Sequence, residues 1–122
     1  MPGSSEPAVL LVAGSPSDLD LVLGTQETLD RLQIRSEIRV LSAHRTPEEV
    51  AEAARGAADA GFDAVIAYAG MSAALAGVIA AHSLLPVIAV PVSSGALAGV
   101  DAALSVLQMP PGTPVAAVAI DG

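Results

Sequence analysis

A strand that ends on a serine and a helix that opens on a proline five residues later constrain this chain most. The stretch is Val40-Leu41-Ser42-Ala43-His44-Arg45-Thr46-Pro47. Before it, Arg35 to Leu41 alternates polar and apolar, the pattern of a half-buried strand. After it, Thr46-Pro47-Glu48-Glu49 has the form of a capping box, with Thr46 expected to accept from the amide of Glu49. Pro47 suits the first helical position, and the two acids suit the positive end of the helix dipole. Ser42, His44 and Arg45 are thereby confined to the turn at the carboxyl end of a strand, the edge where open α/β sheets bind ligands. One of these residue types titrates near neutral pH, one is a fixed cation and one is a hydroxyl. A lone His-Arg pair would read as a solvated turn; the rest of the chain argues for more.

The same grammar occurs earlier. Ala8 to Ala13 is a continuous apolar run, as expected of a central parallel strand covered on both faces. It runs into Gly14-Ser15-Pro16-Ser17-Asp18, where Ser15 reads as an N-cap and Pro16 as the first helical residue. Gly14 and Ser15 sit where backbone amides can cradle an anion. Leu19, Val22, Leu23, Leu29 and Leu32 mark one face of the following helix. After the second turn, Pro47 to about Ala60 reads as a helix with Val50, Ala53, Ala54, Ala57 and Ala58 inward and Gly61 as its stop. Ala64 to Ala69 is the third strand. Gly70-Met71-Ser72 then turns into a helix running to about His82, which is expected to be a solvated terminal residue. Val87 to Val90 is the fourth strand, Pro91 to Gly99 a loop, Val100 to Met109 a helix and Val115 to Ile120 a last strand.

Five strands alternating with four helices predict a three-layer, doubly wound parallel α/β sheet. Right-handed crossovers bring every strand-to-helix turn to one edge. That edge collects Ser15, Asp18, Ser42, His44, Arg45, Gly70, Ser72, Ser93 and Ser94. One arginine, several hydroxyls and one histidine suit a small phosphorylated substrate and proton transfer. Gly14, Ala43, Ala69, Met71 and Leu75 complete the candidate substrate-binding set around a catalytic His44.

Composition narrows the classes. The 122 residues suit one domain, taken as 8–122 behind a loose tail at 1–7 that is too short and polar for a leader. All five basic residues are arginine, so lysine Schiff-base chemistry is excluded. Thirteen acids give a net charge of −8, which argues against nucleic acid and anionic lipid as partners. With no cysteine there is no disulfide, thiolate nucleophile or zinc-thiolate site, and two distant histidines make a weak case for any metal. Apolar residues make up 52% and the mean hydropathy is +0.62. Such a small chain is expected to bury surface between copies, with the helix from Met71 to Ala81 at the interface. Ala64 to Ala81 carries no charge, but a β-like first third and Gly70, Ser72 and Gly77 fit a buried strand plus a helix better than a membrane span.

Four motifs, in order, resemble the catalytic subunit of phosphoribosylaminoimidazole carboxylase, the N5-carboxyaminoimidazole ribonucleotide mutase family of purine biosynthesis. They are Gly14-Ser15-Pro16-Ser17-Asp18, Ser42-Ala43-His44-Arg45-Thr46-Pro47, Leu85-Pro86-Val87-Ile88 through Val90-Pro91-Val92, and Leu107-Gln108-Met109-Pro110 with Gly112 and Pro114-Val115-Ala116. The resemblance implies a flavodoxin-like fold, a cytoplasmic homo-octamer, and neither metal nor organic cofactor. It implies a ribonucleotide substrate and carbon dioxide, with Ser15 and Asp18 on the ribose and phosphate region, Arg45 on the phosphate, and His44 as general acid and base. The chain departs from the family at Ala74, where mutases have a second histidine, and at Ala76, where they have proline. It has Ser72 in common with the related carboxylases that use free carbon dioxide, and Arg45 where those have lysine. The family also continues past Ile120 into a further helix. A carboxylase acting on free carbon dioxide and a non-catalytic nucleotide-binding module stand as alternatives at this point.

Overall fold

The computed structural model describes residues 6–122, so of the expected tail at 1–7 only Glu6 and Pro7 fall within it. The strands are β1 (Ala8–Ala13), β2 (Arg35–Val40), β3 (Ala64–Gly70), β4 (Val87–Val92) and β5 (Ala116–Ala117). The helices are α1 (Leu19–Arg31), α2 (Pro47–Gly56), α3 (Leu75–His82) and α4 (Val100–Leu107), with a 3-10 turn at Pro16–Asp18 leading into α1. All strand pairs are parallel and the order is β2-β1-β3-β4-β5. This is the flavodoxin-like order: the chain steps from β1 to β2 on one side and crosses back to β3 on the other. The carboxyl ends of β1 and β3 therefore flank the switch point where a crevice opens.

Helices cover both faces. On one face Val50, Ala54 and Ala57, Leu75, Ala76 and Ile79 of α3, and Ala102 and Val106 of α4 pack on Leu10, Val12, Val65, Ala67 and Ala89. On the other, Val22 and Leu29 of α1 pack on Leu11, Ala13, Tyr68 and Val90. Leu10, Leu11, Val12, Val65 and Tyr68 are each exposed by 1% or less. Side chains of that size contribute about 1.5–3 kcal/mol each on full burial. The alanines let helix and sheet approach closely, consistent with a chain whose only aromatics are Phe62 and Tyr68. The Tyr68 hydroxyl is satisfied by donating to Thr25 Oγ1 of α1 at 2.5 Å.

Several boundaries differ from expectation, each for a local reason. α3 starts at Leu75 rather than near Met71, because Met71 takes a left-handed φ of 55° that no right-handed helix admits. α2 closes at Gly56 and the chain turns through to Gly61, whose φ of 98° ends the segment. The last strand pairs only at Ala116 and Ala117, although Val118 N still donates to Ala89 O. Leu23 and Leu32 lie off the buried stripe, 48% and 63% exposed: Leu23 follows the inward Val22 by one position, and Leu32 is beyond the last turn. Ala51 of α2 is buried, and Ala58, in the turn after it, is exposed. The capping box does not form, because Thr46 Oγ1 turns back to Ser42 instead of reaching Glu49.

Candidate active site

Three strand ends are pinned side by side. Gly14 N donates to Tyr68 O at 2.9 Å, tying the end of β1 to β3, and Leu41 N donates to Ala13 O at 2.9 Å, tying β2 to β1. A Cβ at Gly14 would lie 3.2 Å from Tyr68 O, so a side chain there would press on the bond that fixes the turn. The four strand-to-helix turns enclose a cleft of about 340 Å³. From the turn after β1 come Gly14, Ser15, Ser17 and Asp18. From the turn after β2 come Ser42, Ala43, His44 and Arg45. The end of β3 and the residues after it add Ala69, Gly70, Met71, Ser72, Ala74 and Leu75, and Ser94 closes the β4 side.

Of the fourteen residues placed at this edge from sequence, all but Ser93 line one cleft. Ser17 and Ala74 also line it; nothing in the sequence assigns Ser17 a role, and Ala74 stands out there only as a departure from the resembled family. Ser93 is on the expected edge but does not line the cleft; it faces Asp121. His82 is partly buried on α3, its Nδ1 2.8 Å from Val78 O, and takes no part in the cleft.

The turn after β2 is braced by its own backbone and hydroxyls. Ser42 Oγ accepts from Arg45 N at 3.1 Å and Ser42 O accepts from Thr46 N at 2.8 Å. Thr46 Oγ1 accepts from Ser42 N at 3.0 Å and donates to Ser42 O at 3.1 Å. These bonds fix the backbone and leave the His44 ring and Arg45 guanidinium exposed. Among the described residues neither has a hydrogen bond or ion pair. A rigid turn presenting an unpaired cation and an imidazole is ready for an anionic ligand and a proton transfer.

The turn after β1 is different in character. Ser15 Oγ accepts from Ser17 N at 3.3 Å as the cap of the 3-10 turn. Asp18, only 6% exposed, is the one buried charged residue among those described. Desolvation pushes its carboxyl above the usual range, a hydrogen bond from the Ser15 backbone pulls it back in part, and the charge of Asp121 pushes it up again. A carboxyl held at the wall of a polar cleft is suited to pair with ligand hydroxyls, which replace the water it has lost. Among the described residues no three histidine, aspartate or glutamate side chains gather as a metal site, and no helix is long and apolar enough to cross a membrane.

Similarity to known proteins agrees with this geometry. The model of the AIR carboxylase family matches residues 8–122. The N5-carboxyaminoimidazole ribonucleotide mutase of Pyrococcus abyssi is 48% identical over 116 residues, covering 95% of this chain and 67% of that protein. The mutase of Mycobacterium tuberculosis H37Rv is 47% identical over 121 residues, covering 99% of this chain and 70% of that protein. Among solved structures, Treponema denticola PurE superposes with a TM-score of 0.82 at 32% identity, covering 95% of this chain and 73% of that one. The chain belongs to the AIR carboxylase family.

Proposed function

We propose that this protein is an N5-carboxyaminoimidazole ribonucleotide mutase of purine biosynthesis, an isomerase that moves a carboxylate from N5 to ring carbon C4. The relatives that cover nearly all of this chain carry that name. The observation that carries the reading to this chain is the unpaired His44-Arg45 couple beside the buried Asp18 in one cleft. In this reading Arg45 grips the substrate phosphate and Ser15 supports it, while Asp18 and Ser42 hold ribose and ring positions. Gly14, Ala43, Ala69, Gly70, Met71, Ser72 and Leu75 shape the space around the ring. His44 works as both acid and base. The N5–carbon bond breaks, carbon dioxide departs, and His44 gives N5 a proton. C4 then attacks the carbon dioxide held in the cleft, and the proton displaced from C4 returns to His44, which ends as it began. A single imidazole serves because one proton leaves it and one comes back.

A cytoplasmic homo-oligomer, an octamer by family resemblance, is part of this proposal. What supports an assembly is a stripe on and just before α4, Leu97, Val100, Leu104 and Leu107, 54–63% exposed. It belongs to a different helix from the one at 71–81 that composition singled out, which packs on the same face of the sheet. The cytoplasmic location rests on the metabolic activity named for the relatives.

The test of the activity is direct. N5-carboxyaminoimidazole ribonucleotide is supplied to the protein alone, and aminoimidazole ribonucleotide plus bicarbonate separately, with product absorbance followed. Turnover of the first in the absence of bicarbonate supports the mutase. Turnover of the second only would identify a carboxylase, and tight nucleotide binding with no turnover of either would leave a binding module.

A further inference from the structure

The cleft has a wall whose support lies outside it. Ser94, in the turn after β4, stands directly above Gly70: a Cβ at Gly70 would lie 2.9 Å from Ser94 Cβ and 3.2 Å from Val92 O. Glycine at 70 is therefore what lets this turn come down onto the end of β3. The turn is held from behind by the segment after β5. Asp121 Oδ1 accepts from Ser93 N at 2.9 Å, and Asp121 Oδ2 accepts from Ser93 Oγ at 2.6 Å. Asp121 N in turn donates to Pro91 O at 2.8 Å, so one residue grips the chain on both sides of Val92. A Cβ at Gly99 would lie 2.7 Å from Ile120 Cγ2 and 3.1 Å from Ser93 Cα, so the far end of the same loop is packed under the same segment. Asp121 adopts a left-handed φ of 58°, a strained conformation for a residue other than glycine, and its two carboxylate bonds hold it there.

We propose that Asp121 is a positioning residue for the reaction: by clasping Ser93 through both carboxylate oxygens it holds Ser94 over Gly70 and so fixes the β4 wall of the substrate cleft. Asp121 touches no reacting atom in this scheme. It acts through Ser93 and Ser94. Ser94 itself has no hydrogen bond among the described residues, so its hydroxyl is free to face a ligand. The two hydrogen bonds from Ser93 hold the Asp121 carboxyl below its ordinary range, consistent with an ionised clasp at neutral pH. The inference deepens the proposed activity and rests on it for the identity of the substrate, but the clasp itself is measurable without turnover.

The experiment compares wild type with Asp121→Ala, Asp121→Asn and Ser93→Ala. Three quantities are read: amide hydrogen exchange across residues 92–98, affinity for ribose 5-phosphate, and kcat and KM with N5-carboxyaminoimidazole ribonucleotide. Loss of two charge-assisted hydrogen bonds should speed exchange in 92–98 and weaken ribose 5-phosphate on the order of three- to tenfold in Asp121→Ala. KM should rise by a similar factor with kcat changed less. Asp121→Asn keeps an acceptor for Ser93 N and a donor for Ser93 Oγ, so it should restore most of the loss. Ser93→Ala removes one of the two bonds and should move every readout the same way by less; it carries the test if Asp121→Ala does not fold. Unchanged exchange and affinity in Asp121→Ala would overturn the proposal. So would an Asp121→Asn variant as impaired as Asp121→Ala with the same fall in Tm, since that marks a general structural role. If wild type does not turn over the substrate, the mutase reading fails, while exchange and ribose 5-phosphate affinity still decide the clasp.

Discussion

In the turn after β1, Ser15 caps its own backbone, Gly14 is bonded to Tyr68 of β3, and the acidic side chain, Asp18, is buried at 6% exposure. In the turn after β2, Ser42 and Thr46 hold the backbone between them, and the side chains of His44 and Arg45 stand in solvent with no partner among the described residues. Both turns use a serine, a proline and an acid on the way from strand to helix. The difference follows from their places in the sheet. β1 is central, with a neighbour on each side, and its turn is enclosed by the elements around it. β2 is the edge strand, and its turn looks outward across the carboxyl end of β1. The same local grammar therefore makes a fixed floor in one position and a presenting arm in the other. Proton transfer is assigned to the arm because an unpaired imidazole and guanidinium can take up partners when a ligand arrives, whereas the floor offers a carboxyl and hydroxyls fixed in place to receive the ligand.

The sharpest way to break this comparison is to remove the imidazole from the arm. His44→Asn keeps size and some hydrogen bonding but abolishes titration. Turnover with saturating N5-carboxyaminoimidazole ribonucleotide should fall by at least about a hundredfold, within the range for a positioned acid-base group that must both deliver and accept a proton. Affinity for ribose 5-phosphate, measured by calorimetry, should stay near wild type. Tm should move little, because the ring is exposed and holds nothing in the fold. Near-full turnover would make His44 a structural turn residue and erase the distinction between the two turns.

Arg45→Ala comes next. Its guanidinium is exposed before substrate arrives, so the loss is that of hydrogen bonds to a charged ligand rather than of a buried ion pair. Affinity for ribose 5-phosphate should fall roughly ten- to a hundredfold, with kcat at saturation changed much less. An unchanged titration curve would remove Arg45 from the phosphate site.

The floor should respond in stability first. Because burial raises the Asp18 carboxyl above its ordinary value, the folded protein holds that proton more tightly than the unfolded chain. The associated stability is present below the unfolded pKa and is lost as pH rises through the folded one. Ionised Asp18 therefore lowers stability at neutral pH. Asp18→Asn should raise Tm at neutral pH by a few degrees, about 0.5–1 kcal/mol, and the gain should shrink on acidification below the ordinary carboxylate range. Substrate binding should weaken at the same time. A Tm that falls at neutral pH would mean that Asp18 holds the floor together rather than straining it.

The order of strands and helices was legible because proline, glycine and serine punctuate every transition except that from α1 to β2, and because the long apolar run at Ala8–Ala13 has few other homes than a central parallel strand. Eight of the nine residues that this order places on the site edge line the cleft, since right-handed crossovers leave one edge for all the turns. What could not be read is what depends on contacts distant in sequence or on strain. Thr46 had two possible partners, and the nearer fold of the turn chose Ser42 over Glu49. Met71 breaks the start of α3 with a positive φ, which no propensity rule assigns to methionine. The bond between Ser93 and Asp121 joins residues 28 apart and has no local signature. The exposed stripe on α4 has helical periodicity, but periodicity cannot say whether a face meets the core or a neighbouring molecule.

The central claim is that one cleft moves a carboxylate between two atoms of the same nucleotide. It is tested most directly by giving the wild-type protein N5-carboxyaminoimidazole ribonucleotide labelled with carbon-13 in its carboxylate, in excess unlabelled bicarbonate. The account predicts that the C4 carboxylate of the product keeps the label. Product bearing unlabelled carboxylate, or no product under conditions where ribose 5-phosphate binds, would contradict it.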